Sequence, residues 1–320
     1  MTGAPVTKVV VLDDYQGVAR HFGPWEQLAD AIELTVVGDH IDDTEELVSR
    51  LAGAQVIVAM RERTPFDRQR LERLTDLHLL VTTGMANAAI DMQAAKDLGI
   101  TVCGTASPAA PPAELTWALI LAVTRNVCRE DQAVRAGGWQ HTIGPELAGR
   151  TLGVIGLGRL GSRVAAFGKA FDMRVLAWSA NLDPAMAAAA GAEAVSKQTL
   201  LEDSDVVTLH LRLSDRTRGI IGAADLATMR PTSYLVNTSR GPLIDEQALV
   251  EALRTGQIAG AGLDVFETEP LPVDHPLRGL TNVVLTPHLG YVSTGGFATY
   301  YREAVEDIAA WLEGSPVRVL

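Results

Sequence analysis

A glycine-rich stretch near the middle of the chain constrains its fold more than any other feature. The run Leu152 to Ile155 is short and apolar, as expected for a buried strand. The glycines Gly156, Gly158 and Gly161 follow it with the spacing G-x-G-x-x-G. An amphipathic run then begins, with apolar side chains at helical spacing: Leu160, Val164, Phe167 and Phe171. The sequence therefore predicts a strand, a tight turn and a helix in immediate succession.

The three glycines have separate roles in a turn of this kind. Gly156 permits the tight turn, Gly158 leaves room for a pyrophosphate next to the backbone, and Gly161 lets the helix pack closely on the strand. The N-terminus of the helix faces the phosphates. A glycine-rich loop can also be only a turn, but here a second apolar run, Met173 to Trp178, follows at the distance expected of the next strand. We therefore expect this unit to bind a dinucleotide.

The position that distinguishes the two common dinucleotides lacks its usual acid. A carboxylate after the second strand would hydrogen-bond the adenosine ribose and repel a 2′-phosphate. This chain has Ser179 there, followed by Ala180 and Asn181. A small hydroxyl removes the repulsion, so both NAD and NADP are candidates, although no Arg stands beside Ser179 in the sequence.

Composition restricts the class of protein and its partners. The 320 residues allow two domains, and 47% hydrophobic with 21% charged residues is typical of a globular protein. A net charge of -12 argues against a nucleic-acid surface. No apolar run is long enough to span a bilayer, and the first eight residues contain no apolar signal core. Cys103 and Cys128 lack metal-ligand spacing, so we expect no metal site and a reducing, cytoplasmic location.

The first third of the chain alternates between apolar runs and helical patterns. This alternation predicts a parallel sheet with helices on both faces, and the unit contains no glycine fingerprint of its own. The predicted strands are Lys8 to Asp13, Ile32 to Val37, Gln55 to Met60, Leu77 to Val81 and Thr101 to Cys103.

A proline-rich segment, Ala106 to Pro112, separates this unit from the next. Its three prolines exclude a helix interior. The run Ala113 to Arg125 then predicts a long helix that is apolar on most sides and therefore buried. We place the crossing between two domains at this segment.

The second unit contains seven predicted strands, and a final amphipathic helix covers about Phe297 to Gly314. Three polar clusters follow its late strands: Asn237 to Pro242, Gly262 to Pro270 and Leu285 to Gly290. Ligands of doubly wound sheets bind outside the carboxyl ends of the strands. These clusters offer one guanidinium, several carboxylates and one imidazole, which makes them the candidate reactive groups.

With these motifs, nearly the whole chain resembles the D-isomer-specific 2-hydroxyacid dehydrogenases, which include D-3-phosphoglycerate dehydrogenase and glyoxylate/hydroxypyruvate reductase. The resemblance lies in the glycine unit, Asn-Thr-Ser-Arg-Gly, Leu-Asp-Val-Phe-x-x-Glu-Pro and Thr-Pro-His, in this order and spacing. It implies an α/β fold of two doubly wound parallel-sheet domains. A Rossmann NAD(P)-binding domain, 105–290, would be inserted into a flavodoxin-like substrate domain, 1–104 plus 291–320.

The resemblance also implies roles at matching positions. Arg240 would hold the carboxylate and keto oxygen of a 2-hydroxy or 2-oxo acid. His288 would be the general acid and, in reverse, the base, and Glu269 would orient its ring and favour the imidazolium. Contacts to the substrate would come from Arg61, Gly84, Met85 and Ala86. Contacts to NAD or NADP would come from Gly156, Gly158, Arg159, Leu160, Gly161, Ser179, Arg212, Thr238 and Asp264, of which Asp264 would accept from the nicotinamide carboxamide.

Several positions depart from the family pattern or leave alternatives open. Arg212 stands where a proline is usual; its guanidinium could reach a 2′-phosphate, or it could simply be exposed. Tyr291 replaces a small residue and could narrow the substrate pocket. Glu267 is a rival to Glu269, which the family pattern favours because it directly precedes Pro270. His210 is interpreted as a structural histidine.

The motifs and the resemblance lead to three functional hypotheses. The first is an NAD(P)-dependent dehydrogenase of D-2-hydroxy acids. The second is the narrower activity of a phosphoglycerate dehydrogenase, which Arg61 and Arg63 favour if they do not merely lie in a solvated turn. The third is a nucleotide-sensing protein of the corepressor type, against which the complete catalytic set counts. The resemblance further implies a homodimer through the nucleotide domain, with Arg135 to Trp139 as a contact, and no nucleic-acid or membrane partner.

Overall fold

The computed structural model describes residues 6–320 and divides into two compact units. The first is Met1–Pro108 with Ser293–Leu320, and the second is Ala109–Val292. Residues 1–5, which belong to the segment predicted to lack a signal core, lie outside the described residues. Among residues 6–320, none of the helices is both long enough and apolar enough to cross a bilayer.

The described part of the first unit is built on a five-stranded parallel sheet. The strands are β1 (Thr7–Val11), β2 (Ile32–Val36), β3 (Val56–Ala59), β4 (Leu79–Thr82) and β5 (Thr101–Gly104). Their order is β2-β1-β3-β4-β5, the flavodoxin-like order of a doubly wound sheet. Every residue of β3 and β4 is buried, as expected for strands covered on both faces.

The helices of the first unit come from both ends of the chain. They are α1 (Ala19–Phe22), α2 (Thr44–Arg50), α3 (Arg68–Arg73), α4 (Met92–Asp97) and α12 (Thr294–Leu312), with a 3-10 turn at Trp25–Leu28. The last residues lie antiparallel to β5, where Leu320 N–H donates to the Val102 carbonyl at 2.9 Å. The C-terminal segment therefore forms a bridge to the edge strand β5 of the first sheet.

The second unit opens with the long apolar helix, α5 (Ala110–Thr124), followed by α6 (Val127–Arg135). The helix α5 begins three residues earlier than predicted, with Pro111 and Pro112 in its first turn. Proline is tolerated there because the N–H groups of the first turn have no acceptor within the helix. The three prolines thus mark the start of the helix, and the chain passes from the first unit to the second at Pro108 and Ala109.

A seven-stranded parallel sheet forms the second unit, all of whose residues, 109–292, are described. The strands are β6 (Thr151–Ile155), β7 (Arg174–Trp178), β8 (Glu193–Ala194), β9 (Val206–Leu209), β10 (Tyr234–Asn237), β11 (Gly260–Leu263) and β12 (Val283–Leu285). Their order, β8-β7-β6-β9-β10-β11-β12, is the order of a Rossmann sheet with one further strand. The predicted fold class is confirmed, and the strand ends differ from the predictions by one or two residues.

The remaining helices cover the two faces of this sheet: α7 (Arg159–Ala170), α8 (Pro184–Ala189), α9 (Lys197–Asp203), α10 (Ala223–Thr228) and α11 (Glu246–Arg254). The helix α5 packs against α7 and against β10, β11 and β12. Its Trp117 is buried and stacks on Phe171, with ring centroids 4.6 Å apart. This packing explains why α5 is apolar on most sides, as its sequence predicted.

Candidate active site

The glycine loop lies at the carboxyl end of the central strand β6, between β9 and β7. Gly156 has φ +99°, which permits the tight turn, and its N–H donates to the Trp178 carbonyl of the neighbouring strand β7 at 2.8 Å. A Cβ at Gly161 would lie 2.0 Å from the Gly156 carbonyl oxygen, so the close packing of helix on turn requires glycine. A Cβ at Gly158 would meet no atom within 4 Å. The open space at Gly158, in front of the N-terminus of α7, fits a pyrophosphate.

The other residues predicted to contact the cofactor surround this loop or follow the next strands. Arg159 is exposed and Leu160 half-buried in the first turn of α7. Ser179 follows β7, and its Oγ accepts the Leu157 N–H at 3.3 Å, so the hydroxyl is directed toward the glycine loop. Arg212 is exposed in the loop after β9, which a hydrogen bond from the Thr217 hydroxyl to its carbonyl (2.7 Å) stabilises.

Thr238 is nearly buried and belongs to a chain of hydroxyl groups that the sequence did not predict. The Thr116 hydroxyl, on α5, donates to the Pro112 carbonyl at 2.7 Å. Because it then has no second proton, the Thr238 hydroxyl must donate to Thr116 Oγ1, also at 2.7 Å. This bond joins the loop after β10 to the first turns of α5.

The side chain of Asn237 shapes the loop that carries Arg240. Its Nδ2 donates to the Arg240 carbonyl at 2.8 Å and its Oδ1 accepts the Ser239 N–H at 3.0 Å. The Arg240 Nη1 donates to the Ser239 carbonyl at 2.7 Å, which directs the guanidinium back over its own turn. A Cβ at Gly241 would lie 2.0 Å from the carbonyl carbon of Phe266. The loops after β10 and β11 are therefore in direct backbone contact.

Asp264, at the end of β11, is completely buried and holds the turn after β12. Its Oδ1 accepts from the Thr286 hydroxyl at 2.6 Å and from the Leu289 N–H at 2.7 Å. Its Oδ2 accepts from the Gly290 N–H at 2.9 Å. Burial raises the pKa of the Asp264 carboxyl, and these three hydrogen bonds oppose the shift because they stabilise the ionised form. The turn held in this way contains His288, whose backbone has φ +54°.

His288 and Glu269 meet at this edge of the sheet. His288 Nδ1 lies 2.7 Å from Glu269 Oε2, and Glu269 Oε1 accepts the Phe266 N–H at 2.9 Å. Because an ionised carboxylate only accepts, the proton of the neutral imidazole belongs on Nδ1. This leaves Nε2 as the nitrogen that can exchange a proton with a ligand. Glu267, the rival carboxylate, is exposed.

Tyr291 is 5% exposed, and its ring packs edge-on against the imidazole of His288, with centroids 5.5 Å apart. This large side chain occupies space beside the reactive group. His210, by contrast, has a buried ring whose Nε2 lies 3.0 Å from Thr208 Oγ1, and burial lowers its pKa to about 3. The contact joins two residues at the end of β9. A neutral, buried ring with such a contact agrees with the structural role expected of His210.

The residues predicted to contact the substrate in the first unit lie at the ends of β3 and β4. Gly84 has φ +117°, and its N–H donates to Thr105 Oγ1 at 3.0 Å. Among residues 6–320, no group accepts a hydrogen bond from the backbone N–H of Met85 or of Ala86. Met85 is half-exposed. The two N–H groups are therefore available to a ligand, whereas that of Gly84 serves the loop itself.

Arg61 forms one side of the same loop. Its Nη1 donates to the Thr83 carbonyl at 2.8 Å, and a Cβ at Gly84 would lie 2.1 Å from this nitrogen. Its backbone is held as well, since Asn87 Nδ2 donates to the Arg61 carbonyl at 2.6 Å and φ is +52°. The guanidinium is therefore directed onto the loop, and 17% of the Arg61 side chain is exposed.

Several positions that the sequence analysis left without a role connect these loops. Asn237 and Thr286 lie inside the quoted motifs, so their motifs were the signal. Thr105 and Thr116 have no such signal, because their partners are distant in the chain. The contact between Glu246 Oε1 and His275 Nε2, at 3.0 Å, was also missed.

Comparison with known proteins agrees with this geometry. The family model described as "D-isomer specific 2-hydroxyacid dehydrogenase, NAD binding domain" matches residues 117–290, more than half of the chain. The chain belongs to the D-isomer-specific 2-hydroxyacid dehydrogenase family. It is thus an oxidoreductase that uses NAD or NADP and acts on the CH–OH group of a 2-hydroxy acid.

Named relatives cover most of the chain. A glyoxylate reductase of Aeropyrum pernix is 41% identical over 258 residues, 78% of this chain and 77% of the relative. A hydroxypyruvate reductase of Blautia hydrogenotrophica is 33% identical over 98% of this chain and 99% of its own. The crystal structure of a phosphoglycerate oxidoreductase from Vibrio cholerae o395 has a TM-score of 0.92 and 37% identity, covering 97% of this chain and 100% of that one.

The cofactor loop allows a test that separates ligand binding from packing. We predict that Gly158→Ala folds with nearly unchanged stability, because its Cβ enters open space, and binds NADH and NADPH at least tenfold more weakly, because the methyl group occupies the pyrophosphate position. Gly161→Ala should instead lose roughly 1–3 kcal/mol of folding stability, because it clashes with the Gly156 carbonyl. Chemical denaturation and cofactor titration measure the two effects. Cofactor binding by Gly158→Ala at the affinity of the unaltered protein would contradict the assignment of this loop.

Proposed function

We propose that the chain interconverts a small 2-oxo acid and its D-2-hydroxy acid, with His288 as the proton donor and acceptor. The nicotinamide of the bound cofactor supplies or receives the hydride. The observation that carries the proposal is the 2.7 Å contact between His288 Nδ1 and Glu269 Oε2, on the same sheet edge as Arg240. A positioned imidazole and a guanidinium are the two groups that carbonyl reduction in a carboxylate-bearing substrate requires.

The proton step uses the two nitrogens of His288 differently. The Glu269 carboxylate keeps Nδ1 protonated and fixes the plane of the ring. Nε2–H then donates its proton to the carbonyl oxygen as hydride reaches C2. In the opposite direction neutral Nε2 accepts the hydroxyl proton, and the carboxylate stabilises the imidazolium that forms. The buried ring of Tyr291 limits the motion of the imidazole and narrows the space available to the C3 substituent.

Arg240 is proposed to bind the substrate carboxylate and keto oxygen. Its planar guanidinium offers parallel N–H donors that match a carboxylate. The hydrogen bond from its Nη1 to the Ser239 carbonyl supports the proposal, because it restricts the side chain before substrate binds, and Asn237 holds the backbone of Arg240. Less entropy is then lost on binding.

The first unit is proposed to bind substrate through the N–H groups of Met85 and Ala86. Gly84 gives the loop its shape, since only its positive φ and missing Cβ accommodate the guanidinium of Arg61. The fixed position of Arg61 favours a second candidate function, the oxidation of a phosphoglycerate, because its cation would attract a distal anionic group. The two candidates differ only in the C3 substituent.

For the cofactor, we propose that Gly156, Gly158 and Gly161 with Arg159 and Leu160 form the pyrophosphate site. Asp264 is proposed to accept from the nicotinamide carboxamide. Three hydrogen bonds from the turn that contains His288 fix the position of this carboxylate, which is fully buried. Thr238 would lie beside the nicotinamide ring.

The adenosine end is proposed to admit NADP as well as NAD. Ser179 presents a hydroxyl and no negative charge, and the exposed Arg212 lies two residues beyond His210, whose N–H bonds to the end of β6. Its guanidinium would be the cation for a 2′-phosphate.

Activity assays test these assignments together. Oxidation of NADH and NADPH is followed with glyoxylate, hydroxypyruvate, pyruvate and a bulky 2-oxo acid, and 3-phosphoglycerate is supplied in the reverse direction. We expect a clear rate with at least one of them and a loss of about 10²–10⁴-fold in kcat for His288→Ala, the range of a general acid. Arg240→Ala should mainly raise KM for the acid, and Arg212→Ala should raise KM for NADPH alone. The exposed His78 supplies the control variant His78→Ala, which should change none of these values.

Tight cofactor binding without turnover of any of these acids would contradict the proposal. That result would favour the alternative hypothesis of a nucleotide-sensing protein without catalytic turnover. Turnover that persists in His288→Ala would assign the proton step to another group.

We further propose a cytoplasmic homodimer. Both cysteines are free, and Cys128 is exposed, which suits a reducing compartment. The segment from α6 to residue 143 exposes large apolar side chains, with Trp139 74% and Ile143 100% exposed. Such a patch on one continuous segment is typical of a protein interface.

Sedimentation analysis tests the dimer. We expect the unaltered chain to sediment as a dimer and the variant Trp139→Ser with Ile143→Ser to sediment as a monomer, because the apolar contact is lost. Val273 is 92% exposed and lies elsewhere in the second unit, so Val273→Ser is the control and should remain dimeric. A dimer that survives the double substitution would exclude this segment as the contact.

A further inference from the structure

The segment that carries Glu269 lies mostly on the surface. Residues 267–270 are exposed, and Val273 is almost fully exposed. A carboxylate on such a segment would not stay at 2.7 Å from an imidazole without further contacts. Local opening of surface segments costs little free energy, so what holds this one determines how often Glu269 contacts His288.

One side chain holds both ends of this segment. Glu246, the first residue of α11, accepts the Glu267 N–H on Oε2 at 3.1 Å. Its Oε1 lies 3.0 Å from Nε2 of His275. Both side chains are largely buried, with 17% of Glu246 and 16% of His275 exposed. The two carboxylate oxygens therefore close a nine-residue loop around Glu269.

The hydrogen bonds of His275 determine which atom donates to Glu246. Its Nδ1 accepts the Leu277 N–H at 3.3 Å and so caps the 3-10 turn Pro276–Gly279. A neutral imidazole that accepts on Nδ1 carries its proton on Nε2. Nε2–H then donates to the carboxylate of Glu246. Glu246 therefore accepts one hydrogen bond on each carboxylate oxygen, from the Glu267 N–H and from Nε2–H of a neutral His275.

The middle of the loop has a separate attachment. The Arg278 guanidinium donates to the carbonyls of Leu271 and Pro272, at 2.7 and 2.8 Å. The start of the loop also packs against the turn that follows Arg240, because the backbone of Phe266 is in direct contact with that of Gly241. Glu246 follows that same turn in the chain, so one short segment contributes both Arg240 and the residue that holds the Glu269 loop.

We propose that Glu246 is a positioning residue of the active site: through the Glu267 N–H and the ring of His275 it keeps Glu269 within hydrogen-bonding distance of His288. The inference rests on the proposed role of the His288–Glu269 pair. A purely structural alternative exists, since an acid in the first turn stabilises a helix through its dipole. The experiment must therefore separate the loop from the helix.

Two substitutions break the contact with minimal change of shape. Glu246→Gln keeps one carbonyl oxygen for the Glu267 N–H but turns an NH₂ group toward the Nε2–H of His275. His275→Asn keeps the cap, because the Asn oxygen can accept the Leu277 N–H, and no longer reaches Glu246. Glu251, exposed on the same helix and paired with Arg254, gives the control Glu251→Gln.

We expect both variants to lower kcat by about 10- to 100-fold, the effect of a displacement of about 1 Å in a catalytic group. KM for the cofactor should stay within about twofold, since the glycine loop is untouched. The double variant should lose no more than the larger single loss, because the same contact is already broken. Amide hydrogen exchange across residues 267–275 should accelerate at least tenfold, and Glu251→Gln should change none of these values.

Wild-type kcat in both variants, with only the melting temperature lowered, would overturn the proposal and leave Glu246 a helix-stabilising residue. If Glu246→Gln does not fold, His275→Asn decides by the same criteria. If the unaltered protein turns over none of the acids, the proposed function fails and amide exchange alone decides the inference. Unchanged exchange across residues 267–275 would then overturn it, and accelerated exchange would support it.

Discussion

The candidate site depends on one buried carboxylate. Asp264 has no exposed surface and accepts three hydrogen bonds, all from the turn that contains His288. An unpaired carboxylate at this depth would be costly, so the turn and the acid stabilise each other. The turn in return presents His288 in a backbone conformation that non-glycine residues rarely adopt. Without Asp264, the imidazole would lose the support that directs it toward Glu269.

Parallel strands bring the remaining groups to this carboxylate. The loops that carry Arg240, Glu269 and His288 follow the neighbouring strands β10, β11 and β12, so they emerge at one edge of the sheet. Gly241 permits backbone contact between the first two loops, and Asp264 joins the second to the third. The Asn237 side chain bonds within the loop of Arg240, and the Glu246 side chain bonds across to the loop of Glu269, so both loops are held before any ligand binds. Such preorganisation lowers the reorganisation that catalysis requires.

Much of the fold could be predicted because its signals are local. Strand periodicity, the glycine spacing and the polar clusters after late strands are properties of short segments, and they predicted both sheets and the loops of the site. The start of α5 was missed by three residues because Pro111 and Pro112 were assigned to the segment before the helix, whereas they occupy its first turn. The contact of Glu246 with His275 joins residues 29 positions apart, and no local pattern marks it. The hydrogen bond from the Gly84 N–H to Thr105 likewise joins residues 21 positions apart.

In the proposed mechanism, Glu269 fixes the tautomer of His288 and leaves Nε2 for the substrate. The most direct measurement is the ¹⁵N NMR spectrum of the protein labelled at its histidine ring nitrogens, with His288→Asn used to assign the signals. The structure predicts that neutral His288 carries its proton on Nδ1, beside Glu269 Oε2, and that Nε2 is the nitrogen without a proton. A neutral His288 protonated on Nε2, with Nδ1 bare beside Glu269, would contradict the account.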